Sequence, residues 1–212
     1  MNYDLYIITD QRISLGKSHL EVAEAAIVGG ATIIQFRDKE MKDEEAIEVC
    51  RKIHKLTRGK GILFIVNDRV EVAKAVDAEG VHLGQEDVPL NFARKVLGKE
   101  KIIGISVETV EEALKAVEEG ADYLGVGPIY PTATKPDAGS ALGISRLKEI
   151  KDSVNIPIVA IGGINENNLE EVLKAGADGV AVISAVVSAP DIAQACRKLK
   201  NKIEFIKKRL GK

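Results

Sequence analysis

The sequence predicts an α/β protein, a (β/α)8 barrel formed as a single domain over residues 1–212. Short apolar segments typical of buried strands recur eight times, and amphipathic helical patterns lie between them. Strands that alternate with helices across short connections form a parallel sheet covered by helices. Eight units favour closure into a barrel, with an open doubly wound sheet as the alternative.

The strands are predicted from runs of four or five mainly apolar residues. In chain order they are Leu5–Thr9, Thr32–Phe36, Ile62–Val66, Gly80–Leu83, Ile102–Ile105, Tyr123–Val126, Ile158–Ile161 and Gly179–Ile183. Apolar residues three and four positions apart predict the helices between them. Capping side chains mark several helix starts, namely Ser18 with Glu21, Thr109 with Glu112, Asn165 and Asp191.

A weak internal repeat supports the alternation. Its copies are Gly30-Ala31-Thr32, Glu79-Gly80-Val81, Gly120-Ala121-Asp122 and Gly176-Ala177-Asp178. We interpret each as a glycine that ends a helix, followed by entry into a strand. The copies recur at uneven intervals of about two strand-helix units.

Composition limits the classes of function. The chain of 212 residues is 45% hydrophobic and 29% charged, and its net charge of -2 is spread without the basic stripe of a nucleic-acid-binding protein. Its longest apolar run, residues 180–189, is too short to span a membrane. No signal-peptide pattern begins the sequence, so we expect a cytoplasmic protein. The oligomeric state is left open, a homo-oligomer included.

The loop after the sixth strand has the composition of an anion site. Gly125 and Gly127 would let a ligand approach the backbone, and Thr132, Thr134 and Lys135 supply hydroxyls and a positive charge. An ordinary solvated loop is the alternative. In a barrel, catalytic groups gather where strands end, and this loop is in such a place.

The second strand carries a polar face at its end. Period two places Gln35, Arg37 and Lys39 on one face and Phe36 on the other. We expect the polar face to point into the barrel mouth. Surface pairing with Asp38 is a reasonable alternative for Lys39, but not for Gln35, which lies inside an apolar strand.

Acidic residues follow two neighbouring strands. Asn67 and Asp68 come after the third strand and Asp87 after the fourth. Two carboxylates at adjacent strand ends suit Mg²⁺, which completes its coordination with substrate phosphate and water. The alternative is that both carboxylates cap the following helices.

Other strand ends add candidate donors. Ser106 closes the fifth strand, where it binds a ligand or caps the turn. Gly163 ends the seventh strand and Ser184 follows the eighth, in the place where barrels bind phosphate through backbone N–H groups. For His82, inside the fourth strand, we favour a hydrogen-bonded interior position over proton transfer.

Taken in order, these segments resemble the thiamine-phosphate synthase family. The matching segments are Ile7-Ile8-Thr9-Asp10, Gln35-Phe36-Arg37-Asp38-Lys39, Asn67-Asp68-Arg69, residues 80–85, residues 125–135 and residues 160–164. They span almost the whole chain. The common family form has Leu where this chain has Phe36.

The resemblance implies a barrel that joins 4-amino-2-methyl-5-pyrimidinylmethyl diphosphate to a carboxylated or simple thiazole phosphate. By that similarity the pyrimidine diphosphate site comprises Gln35, Arg37, Asp38, Lys39, Asn67, Ser106 and Lys135, of which Arg37, Ser106 and Lys135 are the catalytic candidates. The Mg²⁺ ligands are Asp68 and Asp87. The thiazole phosphate site comprises Thr132, Thr134, Gly163, Ile183 and Ser184.

The implied chemistry agrees with the residue types. Departing diphosphate accumulates negative charge, which cationic side chains and Mg²⁺ can stabilise, so no nucleophilic side chain is required. Two alternatives are a related thiazole tautomerase, which would need neither metal nor diphosphate site, and a non-catalytic phosphate-binding barrel. The presence of Asp68, Asp87 and Lys135 argues against the tautomerase.

Overall fold

The protein is a closed barrel of eight parallel strands, seen in a computed structural model that describes residues 1–132, 134 and 139–211. Each strand pairs with the next, and the eighth pairs with the first. The strands are β1 Leu5–Thr9, β2 Ile33–Phe36, β3 Leu63–Asn67, β4 Gly80–Leu83, β5 Ile102–Val107, β6 Tyr123–Val126, β7 Ile158–Ile161 and β8 Gly179–Val182. The predicted (β/α)8 barrel is confirmed, and the open sheet is excluded by the pairing of β8 with β1.

Helices surround the barrel. They are α1 His19–Val28, α2 Asp43–Thr57, α3 Val70–Ala75, α4 Leu90–Leu97, α5 Val110–Glu118, α6 Gly143–Ser153, α7 Leu169–Lys174, α8 Ser184–Val187 and α9 Ile192–Leu210, with a short 3-10 helix at Gln11–Ile13. Among the residues described, none of these helices has the length and apolarity that a membrane span needs.

The predicted caps are confirmed at three helices and shifted at a fourth. Ser18 forms the full capping box, and Asp191 accepts a hydrogen bond from the backbone of α9. Thr109 caps α5, while the Glu112 carboxylate accepts from the N–H of residue 108 instead of residue 109. The N-cap of α7 is Asn168, three residues beyond the predicted Asn165, because the chain first makes a turn there.

Apolar side chains divide into two layers, as alternation along strands requires. One layer packs between the strands and the helices and contains Ile34 and Phe36. The other lies inside the barrel and contains Tyr6, Ile33 and Tyr123. The outward direction predicted for Phe36 is therefore confirmed. The difference between Phe36 here and Leu in the common family form lies outside the barrel interior.

The internal repeat has a structural cause at the N-terminal end of the barrel. The residue before each even-numbered strand accepts a backbone N–H from the preceding odd-numbered strand, in the pairs Thr32 with Leu5, Glu79 with Phe64, Asp122 with Ile103 and Asp178 with Ile158. The glycine prediction holds for Gly30, Gly120 and Gly176, which have positive φ. It is wrong for Gly80, which lies within β4, where an added Cβ would meet the carbonyl oxygen of Ile102 at 2.1 Å.

Candidate active site

A cavity of about 530 Å³ opens at the C-terminal end of the barrel. The candidate residues that line it are Gln35, Arg37, Lys39, Asn67, Asp68, Asp87, Ser106, Thr132, Thr134, Gly163, Ile183 and Ser184. Residues that sequence reasoning had not assigned to a ligand also line it, including Tyr6, His82 and Tyr123. The closed barrel thus brings candidate residues from the ends of seven strands, β2 to β8, to one site. Lys135 lies outside the described residues.

A second cavity, of about 650 Å³, lies at the opposite end of the barrel. Three carboxylates line it, those of Asp4, Asp122 and Asp178. Each is engaged in the structure: Asp4 with Lys200 and Lys207, and the other two with strand N–H groups. These carboxylates stabilise the fold. The polar residues that could bind or convert a ligand follow the C-terminal ends of the strands, so we assign the site to the C-terminal cavity.

Arg37 is held at the cavity by a buried carboxylate. Its Nη1 donates to Asp10 Oδ2 at 2.9 Å, and Asp10 is only 2% exposed. The same carboxylate accepts two hydrogen bonds from the guanidinium of Arg12, at 3.1 and 2.7 Å. Burial alone would raise the pKa of Asp10, but the hydrogen bonds from Arg12 and the charges of both arginines lower it below its ordinary value. Arg37 is therefore fixed beside an ionised partner.

Asp38 does not join its neighbours in the cavity. Its Oδ2 lies 3.0 Å from Nε2 of His19, and its Oδ1 accepts the backbone N–H groups of Glu40 and Met41. Burial would raise the pKa of Asp38, but the hydrogen bonds from His19 and from those N–H groups lower it. The structure thus places the Asp38 carboxylate on His19 and on its own loop, which carries Lys39, and the expected substrate contact of Asp38 stays a prediction.

His19 was given no role by sequence reasoning, yet it links two strands at this loop. Its Nδ1 lies 2.7 Å from Oγ1 of Thr9, at the end of β1, while Nε2 contacts Asp38. The imidazole packs 4.8 Å from the ring of Phe36. A histidine within an amphipathic helical pattern carries no sequence signal for such a contact, so only the structure reveals it.

Asp68 and Asp87 approach each other across the ends of β3 and β4. The buried position of Asp68 and the neighbouring carboxyl of Asp87 raise the pKa of Asp68 from 3.8 to about 7, against the opposing charges of Lys39 and Arg37. Asp68 also has φ of 61°, an uncommon conformation for a residue other than glycine. Two carboxylates forced together in this way fit a divalent cation, which would remove their repulsion.

Neither carboxylate caps a helix. The N-cap residues of α3 and α4 are Arg69 and Pro89, and neither helix has a side-chain hydrogen bond at its N-cap. Asp87 instead accepts the N–H of Gly84 at 2.6 Å, within the turn that follows β4. The capping alternative is therefore wrong for both residues, while their placement at one cavity agrees with the metal-site prediction.

The raised pKa of Asp68 predicts a pH-dependent stability of the metal-free protein. Asp68 binds a proton more tightly in the folded than in the unfolded chain, so its contribution to stability is complete below pH 4 and is lost as the pH rises to about 7. In EDTA, we expect the free energy of unfolding of wild type to fall across this interval relative to Asp68→Asn, measured by urea titration at each pH. If the free energy of unfolding of the two proteins changed with pH in the same way, the raised pKa of Asp68 would be contradicted.

The glycines at the end of the sixth strand leave room for other protein atoms. A Cβ at Gly125 would lie 2.8 Å from Cε1 of His82, and one at Gly127 would lie 2.1 Å from the carbonyl oxygen of Ile161. Both glycines also line the cavity. Their absence of side chains is therefore required by packing inside the barrel, which is a different reason from the ligand approach inferred from the sequence.

The segment after β6 is attached to the end of β7. The N–H of Ile129 donates to the carbonyl of Ile161 at 2.8 Å, and that of Tyr130 donates to Gly162 at 3.0 Å. Further along, the hydroxyl of Tyr130 donates to Glu171 of α7 at 2.5 Å. These contacts fix the position from which the chain continues to Thr132 at the cavity.

A hydrogen-bonded chain crosses the inside of the barrel. Nε2 of Gln35 donates to the Tyr6 hydroxyl at 2.7 Å, which lies 3.0 Å from the hydroxyl of Tyr123. His82 continues the chain, with Nδ1 2.9 Å from that hydroxyl and Nε2 2.9 Å from Oγ of Ser106. The predicted interior position of His82 is confirmed. Ser106 lies inside β5 and bonds to His82, so it does not cap a turn.

Nothing in the sequence indicated that Tyr6 and Tyr123 belong to a hydrogen-bonded chain. The period-two alternation of β1 and β6 predicts which face of the strand each tyrosine takes, but a tyrosine in an apolar strand is interpreted as a core residue. The inward face of β2 was recognised only because Gln35 is plainly polar.

Comparison with known proteins agrees with this geometry. The sequence model of the family described as thiamine monophosphate synthase matches residues 5–186. The chain belongs to the thiamine monophosphate synthase family. It is 52% identical over 200 residues to a thiamine-phosphate synthase of Chloroflexus aurantiacus, covering 94% of this chain and 92% of that one. A thiamine-phosphate synthase of Moorella thermoacetica is 52% identical over 198 residues, covering 93% and 94%.

A solved structure is also similar to this chain. The thiamine phosphate pyrophosphorylase from Pyrococcus furiosus superposes with a TM-score of 0.89 at 47% identity, and the alignment covers 96% of each chain. The family resemblance predicted from the motifs is thereby confirmed, together with the assignment of an enzyme of the transferase class.

Proposed function

We propose that this barrel forms thiamine phosphate and diphosphate from 4-amino-2-methyl-5-pyrimidinylmethyl diphosphate and a thiazole phosphate. The observation that carries the proposal is a single cavity with two chemically different sides. One side has cationic and acidic side chains, and the other has glycine and hydroxyl-bearing residues. Membership of the thiamine monophosphate synthase family supports the same reaction. Small-molecule substrates suit a cavity of this size.

The cationic side suits the diphosphate. Arg37 and Lys39 reach the cavity from β2 and the loop after it, and the Asp10 carboxylate orients the guanidinium of Arg37. Lys135 completes this group in the sequence-based prediction. Positive charge placed where diphosphate departs stabilises the developing negative charge. We propose a dissociative step in which the aminopyrimidine delocalises the positive charge left at its methylene, followed by attack of the thiazole nitrogen.

Asp68 and Asp87 would hold Mg²⁺ beside the diphosphate. Within the described residues no group of three or more histidine, cysteine or acidic side chains is placed to hold a metal ion, so protein ligands alone would not fill an octahedral shell. Mg²⁺ commonly takes one or two carboxylates and completes its shell with water and substrate phosphate. When bound, it would supply additional charge neutralisation to the leaving diphosphate.

The glycine and hydroxyl side suits the thiazole phosphate. Thr132, Thr134, Gly163, Ile183 and Ser184 line this part of the cavity. Threonine and serine hydroxyls together with exposed backbone donors are typical phosphate ligands. The substrate with one phosphate is therefore assigned to the ends of β6, β7 and β8.

Gly163→Val tests this division of the cavity. Gly163 has φ of 64°, and a Cβ there would lie 2.7 Å from the carbonyl oxygen of Pro131, so a valine would displace the segment that leads to Thr132. We expect affinity for the thiazole phosphate to fall by about tenfold or more and affinity for the pyrimidine diphosphate to change by less than about threefold. Separate calorimetric titrations measure both.

Gly98→Val is the matched control. Gly98 also has positive φ, but an added Cβ would meet nothing within 4 Å and the residue lies outside the cavity. A valine there also meets the strain of a positive φ, but without the collision. Equal losses of affinity for the two substrates in Gly163→Val would contradict the division.

The reaction itself is tested by incubating the purified protein with both substrates, with and without Mg²⁺, and measuring thiamine phosphate and diphosphate. We expect both products in equal amounts, and only with metal. Metal-independent conversion of the thiazole alone would indicate the tautomerase instead. Tight binding of both substrates without products would indicate the non-catalytic barrel.

A further inference from the structure

A hydrogen-bonded chain inside the barrel joins Gln35 to Ser106 through three side chains. The Tyr6 hydroxyl accepts from the Gln35 amide and shares a second hydrogen bond with the Tyr123 hydroxyl, in which either oxygen can donate. The Tyr123 hydroxyl also hydrogen-bonds to Nδ1 of His82.

His82 connects this chain to the serine. Its Nδ1 lies 2.9 Å from the Tyr123 hydroxyl and its Nε2 lies 2.9 Å from Oγ of Ser106, so the imidazole holds the serine side chain against the tyrosine. Because Ser106 also lines the cavity, its hydroxyl is placed to reach a bound ligand.

The barrel reserves space for the rings of this chain. A Cβ at Gly104 would lie 2.1 Å from Cζ of Tyr123, and a Cβ at Gly125 would meet His82. Gly104 pairs with His82 on one side and with Tyr123 on the other, so it stands between the two rings. Any larger residue at either glycine would displace a member of the chain.

We propose that Tyr6, Tyr123 and His82, here called the relay, are positioning residues that hold the Ser106 hydroxyl in place for a hydrogen bond with the pyrimidine diphosphate. The proposal rests on the proposed function, which assigns that substrate to Ser106. The relay acts through Ser106 and makes no chemical step itself. The residues bonded to its two ends, Gln35 and Ser106, both line the cavity, so the relay joins two cavity residues through the barrel interior.

A double-mutant cycle tests the relay. Tyr123→Phe, Ser106→Ala and the double variant are titrated with the pyrimidine diphosphate by calorimetry. We expect each single change to weaken binding by about tenfold and the double variant to match Ser106→Ala within about twofold, because the relay has no route to the ligand once the serine hydroxyl is gone. Affinity of Tyr123→Phe for the thiazole phosphate should equal that of wild type.

Tyr3→Phe is the matched control, since its ring lies 5.3 Å from that of Tyr123 but its hydroxyl contacts Met1 instead of the relay. If Tyr123→Phe does not fold, Tyr6→Phe interrupts the relay one bond earlier, and its smaller loss must also vanish in the Ser106→Ala background. Additive losses in the cycle would overturn the relay. The proposed function would still stand in that case, provided that wild type binds both substrates and turns them over. Failure of wild type to bind the pyrimidine diphosphate would overturn both.

Discussion

Asp87→Asn and Asp68→Asn should each lower turnover of the pyrimidine diphosphate by on the order of a hundredfold or more, with partial recovery at high Mg²⁺. The amide keeps the shape of the side chain but loses the charge that a hard cation requires of its ligand. At position 87 the remaining oxygen can still accept the N–H of Gly84, so the melting temperature should stay near that of wild type. Asp68→Asn removes a buried charge beside a second carboxylate and should not destabilise the metal-free protein.

The measurements are steady-state kinetics across a Mg²⁺ titration, thermal melts in EDTA, and calorimetric Mg²⁺ binding in the presence of diphosphate. Asp152→Asn is the matched control, because Asp152 is an exposed residue of α6 outside the cavity. Wild-type rates in both cavity variants at every Mg²⁺ concentration would refute a two-carboxylate metal site. Unchanged Mg²⁺ binding with lost turnover would instead give the carboxylates a role other than metal ligation.

Arg37→Ala should lower kcat/KM for the pyrimidine diphosphate by on the order of a hundredfold. The reason is the loss of a cation that Asp10 holds at the cavity. Arg37→Lys should recover part of the loss, since lysine keeps the charge but lacks the planar fork that pairs with two oxygens. Affinity for the thiazole phosphate should change by no more than about threefold, because that substrate is assigned to other strand ends.

Arg12→Ala is a close control for this substitution. Arg12 bonds to the same Asp10 carboxylate, but its side chain is half exposed and does not line the cavity. Arg12→Ala therefore measures how much activity is lost when the hydrogen bonds of Asp10 are disturbed and no cation is removed from the cavity. If Arg12→Ala and Arg37→Ala lost activity equally, Arg37 would matter for these hydrogen bonds and not for the diphosphate.

Local patterns in the sequence were enough to predict the barrel and most of the strand-end residues that line its cavity. Eight apolar strands separated by amphipathic helices leave few arrangements that bury both faces of the sheet. Alternation along β2 placed Gln35 and Arg37 inward and Phe36 outward, because successive side chains of a strand must point to opposite faces. The position of polar residues at strand ends was equally local, and the cavity gathers nearly all of them.

Other features depend on which strands meet when the barrel closes, and no local pattern contains that information. The carboxylate of Asp38 turns to His19 because α1 and the end of β1 pack beside its loop. Tyr6 reaches Tyr123 across 117 positions of the chain, since both point into the same closed interior. Alternation tells which face a side chain takes. Its partner on that face is decided only by the tertiary packing of the whole barrel, where each buried polar group must find a hydrogen-bond partner.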